Sequence, residues 1–189
     1  ISSAKAEMIN NISRNGVIIL NGDDDFFNHH KKIGLSKNLR VLSFGIKNKT
    51  LSTKLIKIKK VKNKFKLLIR VEDKNYIFYS INDNKSNIYN ILATLTSINL
   101  FEDLNKMDRN IFLNFKSPEG RGDISKIKIK NKYIHLVDES YNSNPLSLKT
   151  AIENFDKILT KKSKKYLVLG DMLELGKHSV KQHKLISRS

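Results

Sequence analysis

The sequence predicts an α/β protein in which a parallel sheet carries a small antiparallel meander and is followed by a second strand-helix-strand region. Three observations predict it. Gly16-Val17-Ile18-Ile19-Leu20-Asn21 and Arg40 to Phe44 are short apolar runs, the first ending in polar residues, as buried strands of parallel sheets read. Residues 54–80 change to Ile, Leu, Phe and Tyr alternating with Lys and Asn, broken at Asn63 and at Asp73 to Asn75, which is the period of a three-stranded meander. Between and after these runs the apolar spacing becomes helical.

In chain order, residues 1–13 read as an amphipathic helix, and a short helix joins the strands at 16–21 and 40–44. From Asn87 a helix runs to about Leu100, with Ile88, Ile91, Leu92 and Leu95 on one face. Ser117-Pro118-Glu119-Gly120-Arg121-Gly122 carries Pro and two Gly and is the expected linker, so a domain boundary is placed between 117 and 118. Strands are expected at 124–129, 133–137 and 165–169, a helix from Pro145 to Leu159, and a last helix from about Ser179. Leu148, Ala151, Ile152 and Phe155 share one face of the 145–159 helix, which is expected to pack on a sheet.

A length of 189 residues with 39% hydrophobic content allows one or two domains with a real core. No apolar run approaches the roughly eighteen residues of a membrane helix, and no charged-then-apolar leader opens the sequence. A soluble, cytoplasmic protein is expected. The absence of cysteine excludes disulfides and thiolate zinc sites. A net charge of +18 would suit a nucleic-acid partner, but only six of the 36 basic residues are Arg and they form no single cluster. The densest stretch, Lys54 to Lys66, alternates with Leu55, Ile56, Ile58 and Val61, as on the solvated face of strands. No nucleic-acid partner is expected. The sequence opens on Ile1 inside a helical pattern, and Ser189 follows a helical stretch without a stop signal, so the expectation is a piece of a longer protein.

Several residues are candidates for chemistry. Lys5 lies in a stripe with Ile1, Met8, Ile9 and Ile12; either it snorkels at the edge, or desolvation lowers its pKa and the neutral amine takes up carbon dioxide as a carbamate, a carboxylate-like metal ligand. Asn21-Gly22-Asp23-Asp24-Asp25 follows a strand, where carboxylates either gather ligands or simply end the strand in a turn. Asn87 and Asn90 share a face at the start of their helix, where amides can meet a base edge, although Asn87 also suits an N-cap. Arg121 sits in a Gly-Arg-Gly turn and offers a bidentate phosphate contact. Asn144 suits an N-cap with Pro145 at the first helical position, while Asp138, Glu139, Tyr141 and Asn142 crowd polar groups before that helix. Asp171 and Glu174 follow the expected strand at 165–169. His178 and His183 are five apart, a poor spacing for joint metal binding, and read as surface residues.

Asp138-Glu139-Ser140-Tyr141-Asn142-Ser143-Asn144-Pro145 and, some thirty residues on, Gly170-Asp171-Met172-Leu173-Glu174-Leu175-Gly176 resemble the C-terminal region of the Mur ligases in wording and order. Ala4-Lys5-Ala6-Glu7 before a Gly-Val-Ile-Ile-Leu-Asn strand is similar to the family segment whose lysine is carbamylated to support magnesium. Asn21 to Asp25 resembles its Asn-x-Asp-Asp segment, and Asn87 to Asn90 its adenine-contacting His-Asn-x-x-Asn segment, with Ser86 in place of the His.

The resemblance implies that residues 1–117 are the rear of the central ATPase domain and 118–189 part of a truncated, Rossmann-like C-terminal domain. It implies an ATP-dependent, magnesium-dependent amide ligase of peptidoglycan precursor synthesis. The enzyme would add D-alanyl-D-alanine to UDP-N-acetylmuramoyl-tripeptide through an acyl phosphate, as a monomer. It further implies that Lys5 supports the metal, that Asn87, Asn90 and Arg121 meet ATP, that Asp138 or Glu139 meets its ribose, and that Asn142, Asn144, Asp171 and Glu174 face substrate. Closure of the second domain on the first is expected to assemble the site. No G-x-x-x-x-G-K-[ST] phosphate loop occurs in these 189 residues, so the chain alone is expected to be inactive. The rivals are a folylpolyglutamate synthase-like ligase, whose family lacks the wording of the Gly170 block, and a basic RNA-binding module.

Overall fold

The computed structural model describes residues 2–48, 50–115, 119–158 and 164–186, without the side chains of residues 2–5 and 157. The chain divides into two compact units, 1–115 and 116–189. The boundary expected at 117/118 falls on residues outside the described ones.

The first unit is built on one five-stranded sheet in the order β1-β2-β3-β4-β5. Helix α1 (Ser2–Asn10) leads into β1 (Val17–Asn21), and α2 (Phe27–Ser36) crosses to β2 (Arg40–Gly45), which pairs parallel to β1 from Val17↔Arg40 to Asn21↔Phe44. The meander follows as β3 (Thr53–Val61), β4 (Lys64–Val71) and β5 (Lys74–Ser80). Its hairpins close through the pairs Lys62-Asn63 and Glu72-Asp73, with Lys62 and Glu72 taking positive φ in turns whose twist matches the strands.

The meander is not a separate sheet. β3 pairs parallel to β2 at Phe44↔Thr53 and Gly45↔Lys54, and the backbone N–H groups of Ser43 and Ser52 each donate to the other's hydroxyl at 3.1 and 3.3 Å. β1, expected as a buried strand, is half-buried, with Val17 exposed, because it ends the strand order of the described sheet. Beyond the irregularity at Leu55/Lys57, β3 turns Lys57, Lys59 and Lys60 to solvent as expected, and exposes Ile56 and Ile58 with them.

Helix α3 (Lys85–Ile98) follows the meander, and its face of Ile88, Ile91, Leu92 and Leu95 buries against Leu67, Ile69, Val71 and Phe78 of β4 and β5. Leu67, Ile69, Leu92 and Leu95 are wholly excluded from solvent, so this packing is the main hydrophobic contribution to the unit. Helix α2 covers the opposite face. Its Gly34 approaches Val41 and Ile18 so closely that a Cβ there would stand 3.0 Å from Val41 Cγ2, whereas Phe44, three positions along β2 from Val41, meets Tyr89 of α3. The loops after β1 and β2 therefore emerge between two helical layers, the usual place for ligands in parallel sheets.

The second unit holds an antiparallel hairpin of β6 (Asp123–Ile129) and β7 (Lys132–Asp138), helix α4 (Pro145–Lys157) and helix α5 (Ser179–Ile186). Two expectations fail here. Residues 165–169 form no strand, because no described strand lies beside them to complete a ladder, and Tyr166 and Val168 stay exposed. Among the described residues the apolar face of α4 is only half-buried, and the chief neighbour of α4 is α5 and not a sheet. The expected end of this helix at Leu159 lies outside the described residues.

Candidate functional site

In the first unit the candidate residues of α3 sit just beyond the buried end of β5. Asn84, not Asn87, is the N-cap: its carbonyl accepts the first helical bond, from Ile88 N at 3.0 Å, and the helix starts at Lys85. The sequence pattern offered Asn87 alone because the apolar stripe begins at Ile88, whereas the helix starts a turn earlier. Asn87 is thereby placed within the first turn, where its Nδ2 donates to the buried hydroxyl of Ser80 at 2.8 Å, and Ser80 in turn donates to the carbonyl of Asn82. That bond fixes the amide plane of Asn87. Asn90, one turn on, is exposed on the same side of the helix.

Asp23, in the turn after β1, is a structural hub. Its carboxylate accepts the backbone N–H groups of Ile46 at 2.6 Å, Lys47 at 3.0 Å and Asn48 at 2.9 Å, and the Tyr89 hydroxyl at 2.8 Å. Partial burial pushes its pKa up, but the three N–H groups and the phenol outweigh that and hold it at about 2. Tyr89 moves the other way, to about 12, through desolvation and then through its bond to Asp23 and that carboxylate's charge. Asp24 caps its own turn by accepting from Phe26 N at 2.8 Å, and Asp25 is exposed. Of the two readings of this acidic turn, the strand-ending one describes Asp23 and Asp24.

The side chain of Lys5 lies outside the described residues. The helix around it is described in part: Ala6 and Ile9 form its buried face, while Met8, expected in the stripe, is 75% exposed. Helix α1 is tied down by Lys37 Nζ, which donates to the Asn10 carbonyl at 2.8 Å.

In the second unit the Gly120-Arg121-Gly122 turn is zipped onto the strand exit of β7. Gly122 N donates to the Asp138 carbonyl at 2.7 Å, Tyr141 N to the Gly120 carbonyl at 3.1 Å, and Gly120 N to Asp123 Oδ1 at 2.9 Å. Both glycines take positive φ, +72° and +81°, and a Cβ on Gly120 would meet Tyr141 N at 2.8 Å, so this close backbone crossing requires glycine. The crossing brings Arg121 over the Tyr141 ring, 4.4 Å from its centroid, beside Asp138 and Glu139. Asp138 is held below the usual carboxylate range by the hydroxyl and backbone N–H of Ser140, whereas Glu139 is raised by desolvation and by the negative charges of Asp123 and Asp138. The two acids that the sequence left equivalent are thus electrostatically distinct.

Asn142 is exposed, and Asn144 forms a full capping box. Its Oδ1 accepts from Leu146 N and Ser147 N while Ser147 Oγ accepts from Asn144 N at 3.0 Å. Asp171 and Glu174 lie on an irregular segment rather than at a strand end, with Glu174 at φ +61°. His183 is no mere surface residue: Met172 N donates to its Nε2 at 3.0 Å, and its Nδ1 lies 2.9 Å from the Ser179 carbonyl, which makes Nδ1 the protonated nitrogen. It anchors the 171–174 segment to α5, with Asp171 3.8 Å away. Among the described residues no group of three or more acidic or histidine side chains is arranged to hold a metal ion.

The sequence signature of the Mur ligase middle domain matches residues 1–98, half of the chain. The chain belongs to the Mur ligase family. Among curated Mur ligases, it is 30% identical to the UDP-N-acetylmuramoyl-tripeptide–D-alanyl-D-alanine ligase of Buchnera aphidicola subsp. Baizongia pistaciae, over all of this chain and 39% of that one. It is 29% identical to the ligase of the same name from Rickettsia prowazekii, over 97% of this chain and 39% of that one. The chain therefore spans about two-fifths of the length of these relatives. Its fold is that of solved Mur ligases: MurF from Acinetobacter baumannii superposes with a TM-score of 0.76 at 21% identity, over 98% of this chain and 38% of that one. MurF from Thermotoga maritima in complex with ADP gives 0.71 at 20% identity, over 98% and 40%.

Within this Mur ligase chain, sequence reasoning missed Ser80, Tyr89 and the bonding role of Asp23, and it did not see Tyr141 as a platform for Arg121. Only Tyr89 left a signal. It stands between Asn87 and Asn90, a polar-tipped ring on a helix that otherwise buries aliphatics.

Proposed function

We propose that this chain is part of a longer ATP-dependent ligase that joins D-alanyl-D-alanine to UDP-N-acetylmuramoyl-tripeptide. Residues 1–117 would be the C-terminal part of its central domain and 118–189 the first part of its C-terminal domain. The observation that carries the reading is that curated ligases of that name align with 97% to 100% of the chain, across both units. In the proposed reaction the tripeptide's terminal carboxylate attacks the γ-phosphorus of ATP, ADP leaves, and the dipeptide amine then displaces phosphate from the acyl phosphate. The work of the protein in such a transfer is positioning and charge stabilisation.

Residue roles follow from the local geometry. Asn87, its plane fixed by Ser80, and the exposed Asn90 would meet the adenine edge. Arg121, steadied on Tyr141, would reach the phosphates. Of the two acids, Asp138 is held by Ser140, so Glu139 is the better placed to accept from the ribose hydroxyls. Asn142, Asp171 and Glu174 are exposed and remain proposed substrate contacts; Asn144 is committed to its cap. Magnesium, when bound, would offset phosphate charge. The described residues do not fit a magnesium centre by themselves, since no three acidic or histidine side chains among them converge and Asp23 already accepts from four donors; Lys5 as a carbamate is the proposed support. The protein would act as a cytoplasmic monomer without nucleic acid or membrane insertion. No described helix is long and apolar enough to cross a membrane.

The test is phosphate release by the full-length protein given ATP, magnesium and UDP-N-acetylmuramoyl-tripeptide. Release that depends on D-alanyl-D-alanine supports the reading. Release that instead requires a folate and glutamate, or the absence of release together with steeply salt-dependent binding of a random oligonucleotide, overturns it.

A further inference from the structure

Three segments distant in sequence converge on one carboxylate. Asp23 lies after β1, Ile46, Lys47 and Asn48 lie after β2, and Tyr89 lies on α3, sixty-six residues from Asp23. Four donors on one carboxylate use most of its accepting capacity, and both oxygens are engaged: Oδ2 takes Ile46 N and the phenol, Oδ1 takes Asn48 N. The ring of Tyr89 also packs edge-on against Phe44 of β2, with centroids 6.4 Å apart, so its hydroxyl is delivered to Asp23 by a fixed ring.

Tyr89 is one of the two residues between Asn87 and Asn90 in sequence, on the same first turns of α3. The rotation of this helix about its own axis decides where the two amides point. Its aliphatic stripe of Ile88, Ile91, Leu92 and Leu95 is non-directional packing and tolerates small rotations, whereas charge-assisted hydrogen bonds are directional. Two polar ties act on this end of the helix. Ser80 holds Asn87 from the β5 side, and Asp23 holds Tyr89 from the β1 and β2 side.

We propose that Asp23 and Tyr89 form a positioning element that sets the rotation of α3, so that Asn87 and Asn90 meet the nucleotide base in register and discriminate adenine from guanine. The inference rests on the reading of Asn87 and Asn90 as base contacts given above. Neither Asp23 nor Tyr89 touches the base. Both act through the helix.

The experiment measures dissociation constants for ATP and for GTP with the full-length protein and its Tyr89→Phe and Asp23→Asn variants. Tyr89→Phe keeps the ring against Phe44 and removes one charge-assisted bond, and is expected to cut the preference for ATP over GTP about tenfold. Asp23→Asn, which sets an amide against three backbone N–H groups, is expected to cut it further. A residue important only for stability would lower the melting temperature and leave the ratio of the two constants at the wild-type value. That result for Tyr89→Phe overturns the proposal, even if Asp23→Asn fails to fold. Because the readout is binding, it is independent of the ligase reading: a wild-type protein that prefers ATP but shows no D-alanyl-D-alanine-dependent phosphate release refutes that reading and leaves this one standing. A wild-type protein with no preference for ATP over GTP overturns the present inference.

Discussion

The amide nitrogen of Asn87 lies 2.8 Å from the hydroxyl oxygen of Ser80, a residue with no solvent exposure at the end of β5. A helix side chain and a strand terminus are thereby joined across the turn that separates them, and the Ser80 hydroxyl in turn donates a hydrogen bond to the Asn82 carbonyl at 2.7 Å. Ser80→Ala leaves the Asn87 donor and the Asn82 acceptor without this partner. It is expected to destabilise the protein by about 1–3 kcal/mol in urea unfolding, whereas Ser80→Thr should lose less if the methyl is accommodated.

Acid stability should depend on Asp23. Its folded pKa, about 2, lies below its ordinary value of 3.8, so its contribution is complete above the ordinary value and lost as pH falls through the folded one. Thermal melts between pH 4 and 2 should therefore fall more steeply for the wild type than for Asp23→Asn. Tyr89 gives the mirror case: with its pKa raised from 10.0 to about 12, its stabilisation is intact below the lower value and lost as pH climbs to the upper one. Tyr89→Phe should flatten that alkaline limb.

The crossing at Gly120 tests the second unit. Gly120→Ala combines a φ of +72° with a Cβ 2.8 Å from a backbone nitrogen, and strain of about 1–3 kcal/mol is expected. Gly122→Ala, whose Cβ would face the movable Glu139 carboxylate at 2.9 Å, should cost less. Hydrogen exchange at Gly122 and Tyr141, whose N–H groups close the crossing, would report the loosening residue by residue.

Asn144 separates a capping role from a substrate role. Asn144→Asp preserves the Oδ1 acceptor of the capping box and Asn144→Ala removes it, so Ala should cost about 1 kcal/mol and Asp almost nothing. Substrate KM values of the full-length protein should not change with Asp. A large rise in KM with Asp would assign the amide to substrate instead.

The local order of the chain is largely legible in its amino-acid sequence. The alternation in residues 54–80 specified the meander because a period of two admits no other regular element, and the stripe of Ile88, Ile91, Leu92 and Leu95 specified both α3 and its buried face. The Asp138 block named Asp138 and Tyr141 as candidates and the Gly-Arg-Gly turn named Arg121, and the structure gathers these three around one backbone crossing. What failed did so for want of partners. Residues 165–169 have strand-like composition, but a strand exists only as one side of a ladder, and composition carries no information about the other side.

The sequence by itself determined the elements of the first unit, their periods and the family wording, because these depend on residues within a turn or two of one another. The tertiary structure alone decided that β2 and β3 join two sheets into one, that the Asp23 carboxylate binds backbone at 46–48 and the Tyr89 hydroxyl, and that Asp138 and Glu139 have opposite pKa shifts. Each of these follows from hydrogen-bond geometry and local dielectric among groups brought together only when the chain folds, and such terms have no period from which to be read.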